Sequence, residues 1–95
     1  MVSDKSVKRV HIKIFGDVHG VGFRYNTFQT ANSMKLTGWV KNITGGIEIL
    51  AEGGEETLNK FIEWCKMGPS FANIDDLEVN WEEPTGEFDN FEVAY

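Results

Sequence analysis

The sequence has a single cysteine, Cys65, so no disulfide can close within the chain and no cysteine-based metal site can form. It has two prolines, and both fall where chain direction changes: Pro69 follows a helical stretch and Pro84 opens a turn. No apolar run approaches the roughly 18–20 residues that a membrane-spanning helix needs. The opening residues, Met1-Val2-Ser3-Asp4-Lys5, carry no apolar h-region, so no signal peptide is expected and a cytoplasmic location is the default. Positive charge is also scarce. Nine Lys/Arg stand against fifteen Asp/Glu, a net charge of −6, which argues at first sight against nucleic acid and against any anionic substrate.

What is present is an ordinary globular composition. Hydrophobic residues make up 41% and charged residues 25%, and seven Phe, three Trp and two Tyr supply core bulk. A length of 95 residues fits one domain over residues 1–95, with residues 1–6 expected as a flexible arm. The charge is unevenly spread. Residues 1–45 hold seven Lys/Arg and two Asp/Glu, whereas residues 46–95 hold two and thirteen. A local positive field in the first half can therefore coexist with the acidic total.

Hydrophobic periodicity gives the elements. Val10, Ile12 and Ile14 alternate with Arg9, His11 and Lys13, the mark of a strand with one buried side. A weak helix is expected over Phe23–Met34, with Phe28, Ala31 and the Met34–Leu36 region facing inward. Gly38 is read as a break before a short strand at Trp39-Val40-Lys41, and Asn42 to Gly46 as a turn. Ile47, Ile49 and Ala51 face inward on the next strand, with Glu48, Leu50 and Glu52 outward, so the two strands form a hairpin. Leu58, Phe61, Ile62 and Cys65 make the apolar stripe of a second helix, which Gly68-Pro69 ends. Its first turn carries Glu55 and Glu56 and its last carries Lys66, matching the helix dipole. Leu77, Val79 and Trp81 alternate in a fourth strand, and Phe91, Val93 and Tyr95 mark a short last one. The order βαββαβ plus a terminal strand predicts an α+β, ferredoxin-like sandwich. Both helices lie on one face of a mainly antiparallel sheet, and strands one and three are central neighbours.

The chemistry concentrates at Gly16-Asp17-Val18-His19-Gly20-Val21-Gly22-Phe23-Arg24, three glycines between a strand and a helix. Glycine lets the backbone close around an anion, and the amides of the first helical turn are available to one. Arg24 stands in that turn, where the helix dipole disfavours a cation unless an anion is bound beside it. From the residues alone, an oxyanion loop and a tight glycine-rich turn are equal readings, and Asn42 reads as a turn residue.

The stretch Gly16 to Arg24 resembles the first signature of the acylphosphatase family, and Gly38-Trp39-Val40-Lys41-Asn42 resembles the start of the second. Ala51-Glu52-Gly53 and Trp81 through Phe88 extend the similarity over nearly the whole chain. His19 stands where the family commonly has Gln, and the turn after Asn42 is one residue shorter than usual. The resemblance implies metal-independent hydrolysis of small acyl phosphates, with no cofactor. Arg24 and the backbone amides of Val18, His19, Gly20, Val21, Gly22 and Phe23 would hold the phosphoryl group, and Asn42 the attacking water. Inorganic phosphate would be product and competitive ligand, and the chain a monomer with no nucleic-acid or membrane partner. Cys65, on the buried helix stripe, is expected to be a packing residue. The competing reading is a non-catalytic phosphate-binding module of the same fold. Single-stranded nucleic acid on the open sheet face is disfavoured, because that face would carry Glu48, Glu52, Glu78 and Glu82 beside His11 and Lys13.

Overall fold

The alternation that begins at Val7 runs through Asp17 as the first strand, β1, whose Val10, Ile12 and Ile14 are fully buried. A computed structural model of the chain describes residues 7–18, 22–68 and 73–94. The expected arm at residues 1–6 and Tyr95 lie outside the described residues. After β1 come α1 (Phe23–Ser33), β2 (Thr37–Ile43), β3 (Gly46–Gly54), α2 (Glu55–Met67), β4 (Asn73–Glu82) and β5 (Phe91–Val93).

The sheet order is β4-β1-β3-β2-β5. β1 is antiparallel to both β3 and β4, β2 is antiparallel to β3, and β5 adds parallel to β2. This is the split βαβ arrangement with β1 and β3 adjacent, as the order of elements predicts. Two strands that are each antiparallel to β3 run in one direction, so β1 and β2 finish at the same end of the sheet. That consequence of the pairing brings the two candidate site segments together.

The core lies between the sheet and both helices. The α2 stripe of Leu58, Phe61, Ile62 and Cys65 is buried as expected, and Phe61 makes ring contacts with Trp64 and with Phe91 of β5. Burying each large apolar side chain of this kind contributes about 1.5–3 kcal/mol. The Cys65 thiol is enclosed, and burial raises its pKa far above the ordinary thiol range. Native protein is therefore expected to leave Cys65 unmodified by a thiol reagent that labels it fully in denaturant. Rapid labelling without denaturant would show that α2 opens readily.

Several details depart from the sequence reading. Helix α1 ends at Ser33, one residue early, and its buried residues are Phe23, Thr27 and Ala31. Phe28 is only partly covered at the side of this stripe. Thr27, a poor helix former, is thus a core position. Lys35, at φ 61, turns the chain after the helix, and the Leu36 N–H returns to the Ala31 carbonyl. Gly38 does not break a strand but lies within β2. A Cβ built there would sit 1.8 Å from the Leu50 carbonyl oxygen, so close approach of β3 is what requires glycine.

Leu50 and Glu52 point away from the helices, yet both are buried. Leu50 lies between its cross-strand neighbours Trp39 and His11. Glu52 is covered by the segment 83–90, which passes from the end of β4 to the start of β5. One Glu52 oxygen accepts from the Thr85 N–H (2.9 Å), the Thr85 hydroxyl (3.3 Å) and Arg9 Nη1 (3.5 Å). The other accepts the Gly86 N–H at 3.0 Å. Arg9 also reaches Glu82 and Glu87 and lies over the Phe88 ring. The segment is therefore a polar strap across the end of the sheet where β1 and β2 begin.

Candidate active site at the shared end of β1 and β2

β1 leads into the candidate loop. Val18 is fully buried, which anchors the chain where it leaves the sheet. His19, Gly20 and Val21 lie outside the described residues. The chain is described again at Gly22, whose φ of 71° and ψ of 24° are left-handed. That backbone state favours glycine. Gly22 caps α1, and no side chain caps the helix there. Phe23 turns into the core against Trp64, with the rings 5.7 Å apart edge to face. Arg24 follows on the first turn and is half-buried. No acidic residue lies in the first turn of α1 to offset the partial positive charge of its N-terminus.

Asn42 stands at the same end. It pairs with Ile47 of β3, which pairs with Ile14 of β1, so all three form one row across the sheet. Side chains alternate along β2, and Val40, two residues earlier, is buried on the helix side. Asn42 therefore projects on the side that carries α1. It is exposed, although its row neighbours Ile47 and Ile14 are fully buried. Among the described residues its amide makes no side-chain hydrogen bond, which leaves both a donor and an acceptor for water or substrate.

The turn after Asn42 differs from the expectation. β2 continues through Ile43, and Thr44-Gly45 alone connect it to Gly46, with Gly45 at φ 77°. The tip is tied to the loop, since the Gly16 N–H donates to the Gly45 carbonyl at 3.1 Å. Gly46 packs on β1 so closely that a Cβ would lie 1.9 Å from the Ile14 carbonyl oxygen. The sequence reading took Gly45-Gly46 as turn chemistry and missed this docking. Its signal was two adjacent glycines where one is enough for the turn.

The comparisons with known proteins cover most of the chain. The acylphosphatase family model matches residues 10–93. The chain belongs to the acylphosphatase family. An acylphosphatase of Syntrophus aciditrophicus is 42% identical over 90 residues, covering 94% of each chain. One from Trichormus variabilis is 44% identical over 79 residues, covering 82% of this chain and 78% of its own. The crystal structure of the Bacillus subtilis acylphosphatase superposes with a TM-score of 0.88 at 39% identity, over 93% of this chain and 99% of that one. Family membership agrees with the fold.

Among the described residues no group of three or more His, Cys, Asp or Glu side chains is arranged to hold a metal ion. No helix among them is long and apolar enough to cross a membrane. The most connected charged cluster lies on the open sheet face instead. There His11 contacts Glu48 and faces Glu82, and Lys41 reaches Glu48 at 3.7 Å while lying over the Trp39 ring. These charges are paired among themselves on the side of the sheet away from α1.

Proposed function

We propose that the chain hydrolyses small acyl phosphates to a carboxylate and inorganic phosphate without a metal, as a cytoplasmic monomer. The observation that supports this best is the convergence of Arg24 and Asn42 at one end of the sheet, in a member of the acylphosphatase family.

In this reading the phosphoryl group lies in the loop that ends at Gly22. Arg24 and the amides of residues 18–23 neutralise its charge. Arg is suited to this role, because its planar fork meets two phosphate oxygens at once. The Asn42 carboxamide accepts from a water and orients its oxygen toward phosphorus, opposite the carboxylate. The new P–O bond forms from that water as the bond to the acyl oxygen breaks, and the carboxylate leaves with the electron pair. A water proton passes to a phosphate oxygen, so no side-chain base is required. A carboxylate leaves readily, and the transition state asks mainly for positioning and charge stabilisation. The paired charges of the open sheet face, which include Glu48 and Glu82, also weigh against a nucleic-acid partner there.

The test is hydrolysis of a generic acyl phosphate in the presence of a chelator. Turnover should persist there. Asn42→Ala should reduce kcat by about a hundredfold or more, the low end of what a positioned proton-handling group contributes. Its inhibition constant for inorganic phosphate should change by less than about threefold, the pattern of an interaction made chiefly in the transition state. Binding of phosphate without any turnover by the wild type would leave the binding-module reading in place. A fully active Asn42→Ala would remove Asn42 from the chemistry.

A further inference from the structure

Asn26 lies one turn into α1 and has no part in the reaction as described above. Its side chain nevertheless reaches back to the loop: Nδ2 donates to the Gly22 carbonyl at 2.9 Å. The Asn26 backbone N–H donates to the same oxygen, also at 2.9 Å. One carbonyl thus takes two donors from one residue. That carbonyl belongs to the peptide joining Gly22 to Phe23, and the peptide bonds among the described residues are trans. In a trans peptide the N–H points opposite to the C=O. Holding the Gly22 oxygen toward the helix therefore aims the Phe23 N–H out of it, beyond its N-terminal end. Two donors on the oxygen also polarise the peptide and strengthen its N–H as a donor.

The need for such a clamp follows from Gly22 itself. Glycine reaches the left-handed state easily but also leaves it easily, and no side chain caps the helix from in front. Among the described residues, a Cβ at Gly22 would meet Asn26 Nδ2 at 3.6 Å and nothing else within 4 Å. Among the described residues, the Asn26 amide is the side-chain group that hydrogen-bonds this carbonyl. We infer that Asn26 is a positioning residue, which orients the Phe23 amide for phosphate. This rests on the loop being the phosphate site proposed above.

The test compares Asn26→Ala with Asn26→Ser. A serine hydroxyl in a helix can still donate to the carbonyl four residues back, whereas alanine cannot. Asn26→Ala should raise both the inhibition constant for inorganic phosphate and KM for the acyl phosphate three- to tenfold, with kcat within twofold of wild type. Asn26→Ser should recover most of that loss. The Phe23 amide resonance should move less at phosphate saturation in Asn26→Ala than in wild type. A purely structural role would lower the active fraction, and hence kcat, while leaving KM and the phosphate constant in place. The inference is overturned if the phosphate constant of Asn26→Ala stays within twofold of wild type, or if serine does no better than alanine. If wild-type protein is not inhibited competitively by phosphate, or if Arg24→Ala leaves that inhibition unchanged, the phosphate-site reading fails and takes this inference with it.

Discussion

Arg24→Ala should lower kcat/KM for a small acyl phosphate by roughly 10²–10³-fold, the loss of about 3–4 kcal/mol expected on removing one donor to a developing oxyanion. The expectation rests on position. Arg24 stands in the first turn of α1, where the helix already presents partial positive charge. A bound dianion reverses the sign of that interaction, so the guanidinium and the helix end then act together. The affinity for inorganic phosphate should fall along with turnover. Arg24→Lys keeps the charge but loses the planar fork, and should recover only part of the rate. Steady-state kinetics on the three proteins, with phosphate as inhibitor, gives the answer. A loss below about fivefold for Arg24→Ala would place the cation outside the reaction.

The second large effect concerns stability rather than chemistry. Glu52→Leu should destabilise the fold by about 3 kcal/mol, the lower end for removing one partner of a buried ion pair. For a domain of this length that corresponds to a Tm lower by roughly 12–24 °C. The carboxylate is 4% exposed and accepts from Thr85, Gly86 and Arg9. Leucine would leave two backbone N–H groups and a guanidinium beside an apolar side chain, and the desolvation cost of each would remain. Glu52→Gln keeps an acceptor but loses the charge facing Arg9, so it should fall between. The strap lies at the end of the sheet opposite Arg24 and Asn42. The specific activity of folded Glu52→Leu should therefore stay near wild type at low temperature. Thermal denaturation followed by circular dichroism measures the first effect, and a Tm drop of less than about 4 °C would show that the strap is marginal.

These two residues also show what could be read from the sequence. β1 and α2 were legible because their apolar residues repeat at two or at three to four positions, and the observed burial follows those repeats; β3 alternates in direction, but it is buried on both faces from Ile49 to Glu52. The order of elements gave the sheet, and the sheet gave the meeting of the β1 and β2 ends. Arg24 and Asn42 came from their motifs. Glu52 was read as solvent-facing, because its burial depends on Thr85 and Gly86, more than thirty residues away. Thr27 was invisible for a similar reason. Its position on α1 is fixed by how the helix sits on the sheet, and a polar residue gives no signal in an apolar stripe. Gly38 was misread because a missing side chain looks the same whether it ends a strand or admits a neighbouring carbonyl. Asn26, a poor helix former, carries no apolar signal, yet its spacing of four from Gly22 is already present in the sequence.

The two-residue link between β2 and β3 constrains how the hairpin can change length. Asn42 lies on the α1 side because its distance along β2 from Val40 is an even number of residues. Inserting one residue between them would turn Asn42 to the opposite side of the sheet, unless the extra residue were expelled as a bulge. Inserting two would restore the side but carry Asn42 one pleat along, from the row of Ile14 to the level of the Gly16–Gly45 bond. Insertions and deletions in this hairpin are therefore subject to a parity rule, and those that preserve activity should fall at Thr44-Gly45 rather than before Asn42.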